Sequence, residues 1–192
     1  VKITVDDIET ADSKIQSLNS KLHIRVPGWC VGRPVPSDLY VQTGPGSMKD
    51  FTVKVNGTPF DFTSRKGYCL IDREWKRGDT VEVVMNMPIR RIKAHDAVKQ
   101  NCGRLAVECG PVLYCAEGVD NGGRVLDKAI ASNAAFKRTT CDILGFCYPA
   151  FAAPAKIAGG GASSGNFELK LIPYFAWCHR GDGEMQTWFP VE

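Results

Sequence analysis

Short runs of alternating apolar and polar residues, each ended by turn residues, most constrain what this chain can fold into. The segment Leu22–Val26 alternates up to Pro27-Gly28, and Phe51–Val55 alternates up to Asn56-Gly57. A period of two residues is typical of a β-strand with one buried face. Asn-Gly favours a hairpin because both residues tolerate a positive φ. The pattern therefore predicts short antiparallel strands rather than helices.

Strand patterns that end in turn residues continue through the first half of the chain. Gly67–Trp75 is predicted to be a strand that ends at a hairpin turn over Lys76–Asp79. Residues 81–87 then alternate until Pro88, which cannot donate a hydrogen bond to a neighbouring strand. The basic stretch Ile89–His95 is predicted to be a solvated connector between domains.

The second half carries strand patterns again. Residues 104–109 and 111–116 are predicted strands, and residues 167–177 with 184–189 are predicted to form a last hairpin. Residues 127–135 have modest helix propensity but weak periodicity. The glycine- and serine-rich segment AGGGASSG, which begins at Ala158, is predicted to be a flexible loop.

The expected fold is therefore all-β, with two antiparallel, jelly-roll-like β-sandwich domains in series. The domain boundary is expected after Ile92, so the first domain covers residues 1–92 and the second covers residues 93–192.

Charge and hydropathy exclude some classes of function. The net charge of +3 comes from 24 basic and 21 acidic residues that are scattered along the chain. Nucleic-acid binding, which needs a basic face, is not expected. No run reaches the ~18 apolar residues of a membrane helix, so no membrane partner is expected either. The opening VKITVDD alternates like a strand and has no initiator Met, so we expect the chain to be cut from a longer polypeptide.

The eight cysteines are expected to be structural thiols, with disulfides as the alternative that a chain of this size does not need. None of them forms a C-x-x-C pair, and the chain has only three histidines, which disfavours a zinc-finger type of metal site. Most of them lie within apolar alternation, where free Cys behaves as a small buried hydrophobe. The absence of a pairing pattern leans towards a reducing, cytoplasmic compartment, and a periplasmic or secreted location also fits.

Two pairs of residues have the spacing of catalytic groups. Asp72 and Glu74 share one face of a strand at about 7 Å, within the range that glycosidase carboxyl pairs use. Their basic neighbours make solvated strand-end charges the better interpretation. Cys115 and Glu117 resemble a nucleophile beside a carboxylate, but neighbouring acidic residues raise a thiol pKa instead of lowering it. We therefore predict no catalytic residue and no metal ligand in this chain.

Aromatic residues offer one candidate binding surface. A tryptophan ring can stack on a sugar ring, although a tryptophan on a strand more often packs in a core. Of the four tryptophans, Trp75, Trp177 and Trp188 are the candidates for carbohydrate contact, and Trp29 is the fourth.

Seven segments of the sequence, taken together and in order, are more specific evidence of a family than any one segment alone. They are VKITV, LHIRVPGWC, VKVNG, GYCLIDREWKRGDTVEV, MNMPIRR, NCGRLAVECGPVLYCAEGVDN and LIPYFAWCHRGDGEMQTWFP. As a set, they resemble the non-catalytic C-terminal part of glycoside hydrolase family 127, the β-L-arabinofuranosidase-like enzymes. The resemblance covers Val1–Pro190, and the blocks REWKRGD and GPVLYCAEGVDN are its most specific parts.

The resemblance implies an architecture and a division of labour. Members look like a large (α/α)6 barrel followed by a middle and a C-terminal β-sandwich. A zinc-bound Cys thiolate and a Glu, both held by the barrel, perform catalysis in the characterised branch. None of the eight cysteines here matches a ligand position of that motif. The resemblance therefore implies no cofactor in this chain and assigns the zinc to the absent barrel.

The resemblance also implies partners and a function. The chain is expected to brace the catalytic barrel of the same, bacterial polypeptide, and its C-terminal sandwich is expected to supply a homodimer contact. The parent enzyme would release L-arabinofuranose or a related sugar from plant-type glycans. The alternative is an autonomous carbohydrate-binding module, which predicts exposed, coplanar tryptophans. A self-contained enzyme would need convergent titratable groups in a pocket, which the linear sequence does not show.

Overall fold

The computed structural model describes residues 1–6, 17–43, 50–159 and 167–191. These residues form β-strands and short 3-10 turns, with no α-helix among them, which confirms the all-β prediction. Within the same ranges, no helix has the length and apolar character that crossing a membrane requires. The loop predicted from Ala158 lies outside the described residues from position 160 onwards.

The strands are short and follow one another along the chain. In chain order they are β1 (Lys2–Thr4), β2 (Ser17–Arg25), β3 (Tyr40–Thr43), β4 (Phe51–Val55), β5 (Thr58–Pro59), β6 (Tyr68–Lys76), β7 (Thr80–Met85), β8 (Ile89–Ala94), β9 (Arg104–Cys109), β10 (Val112–Glu117), β11 (Lys128–Ile130), β12 (Lys137–Ile143), β13 (Phe146–Ile157), β14 (Phe167–Pro173), β15 (Met185–Gln186) and β16 (Phe189–Pro190).

The chain divides into two compact units. The first unit contains residues 1–36 and 46–87, and the second contains residues 37–45 and 88–192. Strand β3 therefore belongs to the second unit, where it pairs with β8.

The first unit packs a four-stranded antiparallel sheet, in the order β1-β7-β4-β5, with the two-stranded sheet β2-β6 around one core. Strand β4 buries Phe51, Val53 and Val55 and exposes the residues between them, as the alternation predicts. Asn56 and Gly57 have φ of 50° and 78° and join β4 to β5, which confirms the Asn-Gly hairpin.

The turn over Lys76–Asp79 is not a hairpin, contrary to the expectation. Strand β6 pairs with β2, whereas β7 pairs with β1 and β4, so the turn carries the chain from one sheet to the other. Ile71 of β6 and Val81 of β7 are both fully buried in the shared core. This arrangement supplies the two layers that an antiparallel sandwich needs.

The second unit contains one long antiparallel path in the order β11-β13-β14-β10-β9-β8-β3, with β12, β15 and β16 paired beside it. Its main core includes the fully buried Phe151, Leu171 and Phe189. A second, smaller core contains Cys115, Cys141 and Ile172. Strand β10 contributes to both cores, since Tyr114 and Ala116 lie in the first and Cys115 in the second.

Three local expectations in this unit are corrected. Ile89–Ala94 is strand β8 rather than a connector, because Ile92 and Ala94 are buried and its backbone pairs with β3 and β9. The last segments do not form a hairpin. Strand β14 pairs with β13 and β10, β15 with β10, and β16 with β9. The weak helix signal at 127–135 contains strand β11, which pairs with β13.

Candidate functional site

The end of β10 brings together the chemistry-bearing residues of the second unit. Because side chains alternate along a strand, Cys115 and Glu117 lie on the same face. Both are buried, and Glu117 is one of the few charged residues that are. A buried carboxylate is costly unless it is paired, so its partners decide what this face can do.

Glu117 belongs to a cluster of four charged side chains. Arg180 donates from Nη2 to Glu117 Oε2 at 2.5 Å, and it forks onto Asp120, with Nη1 at 3.1 Å from Oδ1. Lys170 Nζ lies 3.0 Å from Asp120 Oδ1. The backbone N–H of Cys178 donates to the other oxygen of Glu117 at 3.2 Å. Two acids and two bases therefore balance one another.

Local sequence explains why these groups meet. A 3-10 turn over Gly118–Asp120 follows β10 and projects Asp120 back towards the cluster. Gly118 is required here because a Cβ would lie 2.7 Å from the carbonyl oxygen of Gly123. Asn121 fastens the turn to β14, since its side chain accepts from the N–H of Lys170 at 2.8 Å and donates to the Glu117 carbonyl at 2.8 Å.

The electrostatics of the cluster favour its charged form. Burial by itself would raise the pKa of Asp120, but the hydrogen bonds from Arg180 and Lys170 outweigh it and hold that pKa below its ordinary value. The hydrogen bond to Asp120, together with that to Glu117, raises the pKa of Arg180 despite burial. The four charges therefore form a closed network.

The thiol beside this cluster is electrostatically disfavoured as a nucleophile. Burial, followed by the charges of Glu117 and Asp120, raises the pKa of Cys115 to about 12, and Arg180 opposes this only partly. Burial also raises the pKa of Cys141 in the same core. A thiolate nucleophile needs the opposite shift. The arrangement can fix β10, β14 and the 174–184 segment in place, but it offers no acid, base or nucleophile free to react.

The other sequence candidates lie apart from this cluster. Asp72 is exposed and lies 3.5 Å from Lys21, while Glu74 is exposed and accepts a hydrogen bond from Ser17. Both therefore sit on the solvated face of the β2-β6 sheet. His179 is exposed, with Nδ1 3.1 Å from the Ala176 carbonyl oxygen.

The tryptophans differ in their surroundings. Trp75 is 7% exposed in the core of the first unit and donates to the Ser20 carbonyl at 3.0 Å. Trp177 is half-buried and stacks on Tyr174, with ring centroids 6.0 Å apart. Trp188 is half-buried against Tyr40 at 5.6 Å. Carbohydrate contact at Trp75, Trp177 and Trp188 stays a prediction.

Sequence reasoning did not identify the residues of an aromatic surface on the second unit. We define it by Leu144, Phe146, Tyr148 and Phe175. Phe146 and Phe175 are 65% and 60% exposed, and Tyr148 lies between them, with centroid distances of 6.4 Å and 5.7 Å. Leu144 is exposed at the tip of the β12–β13 hairpin. The i, i+2 spacing of Phe146 and Tyr148 could have indicated one face, but only the fold adds Phe175.

The cysteines are the first residues to consider as metal ligands in this chain. All eight cysteines are free thiols, five of them buried. In the described ranges, no group of three or more His, Cys, Asp or Glu side chains is placed to hold a metal ion. The raised thiol pKa values of Cys115 and Cys141 also disfavour thiolate ligands. These residues do not fit the zinc that the family resemblance assigns to the barrel.

Two family models together match nearly the whole chain. Residues 1–87 match the family model of the "Beta-L-arabinofuranosidase, GH127 middle domain", and residues 89–190 match that of the "Glycoside hydrolase family 127 C-terminal domain". The chain is 28% identical over 183 residues to a non-reducing end β-L-arabinofuranosidase of Bifidobacterium longum subsp. longum, covering 85% of this chain and 25% of that protein.

Two solved structures are similar over most of the chain. One is described as a GH127 β-arabinofuranosidase, with a TM-score of 0.81 and 35% identity, covering 92% of this chain and 28% of that one. The other is a GH127 β-L-arabinofuranosidase from Geobacillus stearothermophilus T6, with a TM-score of 0.74 and 29% identity, covering 92% and 27%. The chain thus spans about a quarter of the length of these relatives.

Proposed function

Because the chain belongs to glycoside hydrolase family 127, we propose that it is the accessory β-sandwich region of a β-L-arabinofuranosidase-like enzyme. Its role is to brace a catalytic barrel of the same polypeptide, and that barrel carries the zinc and performs the hydrolysis. The whole enzyme would release L-arabinofuranose or a related sugar from plant-type glycans. Family membership supports the assignment of the chain to this accessory region. The bracing role, the zinc in the barrel and the released sugar are our proposal.

The aromatic surface is the observation that carries the bracing role. Phe146 and Phe175 are each nearly two-thirds exposed. A Phe side chain can bury roughly 150–250 Å2, so these two expose on the order of 250 Å2 before Leu144 and Tyr148 are added. Contiguous apolar patches of about 300–600 Å2 on a monomer are often functional. We therefore assign this surface to contact with another folded domain.

The catalytic domain is the occupant that we favour. About three-quarters of the length of the relatives lies outside the matched region, so a large domain is expected beside this one in the complete protein. Tyr148, the central residue of the surface, packs against the second core beneath it, so its ring is held in place. A preformed surface binds at a lower entropic cost than a mobile one. A homodimer contact through the same unit is the competing occupant.

Mixing experiments test this assignment. The 192-residue chain and the catalytic domain of its polypeptide are produced separately, mixed, and followed by size-exclusion chromatography with light scattering. We expect a 1:1 complex that the double substitution Phe146→Ser/Phe175→Ser weakens at least tenfold. The matched control is Val119→Ser/Leu126→Ser, which removes two other exposed apolar side chains of the same unit. The control should bind like the unsubstituted chain.

Two results would contradict the assignment. One is an unchanged complex with the aromatic double variant. The other is a dimer of the chain alone that becomes monomeric in that variant, since the surface would then be occupied by a second copy.

An autonomous carbohydrate-binding module is the second candidate function. It predicts exposed, coplanar tryptophans, whereas Trp75 is buried and Trp29, Trp177 and Trp188 are half-buried. The stack of Trp177 on Tyr174, which is 42% exposed, is the observation in its favour. Titration of arabinan fragments against intrinsic tryptophan fluorescence tests it, and no response at millimolar sugar would remove it.

A further inference from the structure

A cationic cleft of about 400 Å3 opens on the second unit, and it shares no lining residue with the charged cluster or the aromatic surface. We call it the β8 cleft. Its lining comprises three cations, two hydroxyl residues, two apolar residues and a glycine: Arg91, Lys93, Arg104, Thr43, Ser132, Leu105, Val191 and Gly103. No carboxylate is among the described residues that line it.

The sheet register places two of the cations on one face. Arg91 lies directly opposite Thr43 of β3 on one side and Val107 of β9 on the other. Directly opposed residues of antiparallel strands point to the same side of a sheet, and alternate residues of one strand do so too. Arg91, Lys93 and Thr43 therefore project from the same sheet face. The floor of the β8 cleft is therefore formed by regular β-strands rather than by loops.

The two arginines are held in place without being neutralised. Arg104 donates from Nη1 to the Trp188 carbonyl at 2.9 Å. Arg91 donates to the Ala134 carbonyl and lies 5.0 Å over the ring of Phe136. Within the described ranges, neither has a carboxylate within ion-pair distance. Carbonyl oxygens fix a guanidinium but leave its charge available to an anion.

Lys93 has one partner that does not close the cleft. Its Nζ lies 3.2 Å from Asp96 Oδ1, and the two side chains are 51% and 82% exposed. An exposed pair of this kind contributes ~0–1 kcal/mol, so Lys93 can exchange it for a ligand at little cost. Among the described residues that line it, the cleft therefore carries three cations and no carboxylate.

We propose that the β8 cleft binds the carboxylate of an acidic sugar, such as a uronate unit of a polysaccharide. A guanidinium fork matches a carboxylate in geometry and charge. Hydroxyl side chains at Thr43 and Ser132 suit sugar hydroxyls, and Leu105 and Val191 suit the apolar edge of a ring. The volume falls within the range of about 300–1,000 Å3 that small-molecule sites occupy.

The choice of a sugar acid rests on the proposed function, since a glycan-degrading enzyme meets carboxylated chains. An inorganic phosphate shares the negative charge but has no ring to contact Leu105 and Val191. The cleft would hold the polysaccharide on the accessory region, whereas bond cleavage takes place in the barrel.

A second cationic cleft, of about 690 Å3, provides an internal comparison in the first unit. It is lined by Arg25, Arg33 and Lys66 with the segment Pro34–Pro36. Its Arg25 lies over the ring of Tyr68 at 5.3 Å. The described part of its lining is mostly turn and loop, without the three-strand floor of the β8 cleft. If an added anion also shifts the backbone amides at this cleft, then it binds to any cluster of positive charge and not specifically to the β8 cleft.

Amide chemical shifts of the 192-residue chain test the proposal. Trigalacturonic acid is titrated into the 15N-labelled chain, with galactotriose as the neutral probe of equal length and inorganic phosphate as the ring-free anion. We expect saturable shifts at residues 91–93, 103–105 and 132 with trigalacturonic acid only. Added salt should weaken them, because screening reduces the attraction between charges.

A charge-matched pair of substitutions gives the second arm. Lys93→Glu and Lys156→Glu change the net charge equally, and Lys156 is an exposed residue of β13 outside the cleft. We expect Lys93→Glu to weaken trigalacturonate binding at least tenfold and Lys156→Glu to leave it unchanged. The amide spectrum of each variant shows directly that it is folded.

Each remaining outcome overturns the proposal. Absent shifts, equal binding of phosphate, equal shifts at the first-unit cleft, or equal effects of the two substitutions would each do so. This test is separate from that of the accessory role. A chain that binds the catalytic domain but no uronate retains the proposed function and loses only this inference.

Discussion

At the residue scale, the fate of Cys115 and Glu117 shows how a catalytic-looking pair becomes structural. Their i, i+2 spacing puts them on one face of β10, as the sequence predicts. The pairing of Glu117 with Arg180, which is 63 residues away, turns the carboxylate into a buried anchor. Burial, and after it the charge of the same carboxylate, raises the pKa of the neighbouring Cys115 thiol.

Arg180 is predicted to be the most costly residue of this cluster to replace. Arg180→Met would leave Glu117 and Asp120 without their shared partner, and breaking a buried pair costs about 3–5 kcal/mol. Urea unfolding should show this loss as a lower midpoint. The control is Arg124→Met, because the Arg124 side chain is 73% exposed where it pairs with Asp127 at 3.8 Å, and such a pair contributes ~0–1 kcal/mol. Equal midpoints for the two variants would show that the cluster contributes nothing.

Asp120 predicts a pH dependence of stability. Its pKa is lower in the folded chain, so its carboxylate stabilises the fold fully above the ordinary pKa of about 3.9. That contribution is lost as the pH falls through the lowered folded value. The difference in free energy of unfolding between the unsubstituted chain and Asp120→Asn should therefore be constant near pH 6–7 and shrink below about pH 4.

Asp72→Asn, at an exposed ion pair, should change stability little at neutral pH. An Asp120→Asn difference that is unchanged down to pH 2.5 would contradict the assignment.

At the element scale, turns decide which strands can become neighbours. The Asn-Gly turn joins β4 and β5 as a hairpin, whereas the turn over Lys76–Asp79 separates β6 and β7 into two sheets. In that turn, Asp79 accepts from the N–H of Lys76 at 2.9 Å and from Asn56 at 2.8 Å. The contact with Asn56 links the two turns.

Replacement of Gly57 is predicted to destabilise the fold through the backbone conformation at this position alone. Its φ is +78°, and an added Cβ would meet nothing within 4 Å. Gly57→Ala should therefore cost about 1–2 kcal/mol from the left-handed conformation, without any clash. Thermal unfolding measures the cost. Gly183→Ala is the control because Gly183 has no positive φ and equally open surroundings. A melting temperature for Gly57→Ala that matches the control would contradict this account of the turn.

At the scale of the whole molecule, the two units each have their own core, and the second unit carries the aromatic surface and the β8 cleft. The charged cluster is closed, and the described residues offer no set of metal ligands. The aromatic surface and the β8 cleft are the two surfaces to which we assign binding roles.

The 192-residue chain is predicted to hydrolyse nothing by itself. Incubation with p-nitrophenyl β-L-arabinofuranoside, with and without added Zn2+, should release no nitrophenol above the buffer blank. A complete family 127 enzyme serves as the positive control. Turnover that Glu117→Gln or Cys115→Ser abolishes would contradict the accessory role.

Local pattern was sufficient for several of the strands, although not for β8, which was expected to be a connector, or for β11. Alternation at Phe51–Val55, the Asn-Gly turn and the runs at 104–109 and 111–116 all correspond to observed elements, because a period of two and a positive φ are properties of neighbouring residues. The pairing of β14 with β13 and β10 was not predictable in this way. Strand partners are chosen by hydrogen bonds and burial between segments that are distant in sequence.

The same distinction between local pattern and contacts of distant segments applies to the sites. The sequence by itself determined an all-β chain, its family and the shared face of Cys115 and Glu117. Only the tertiary structure brought Arg180 to Glu117, Phe175 beside Tyr148, and Arg91 beside Thr43. A closed charge cluster, an aromatic surface and a cationic cleft each need residues from separate strands or turns, and no local period encodes such meetings.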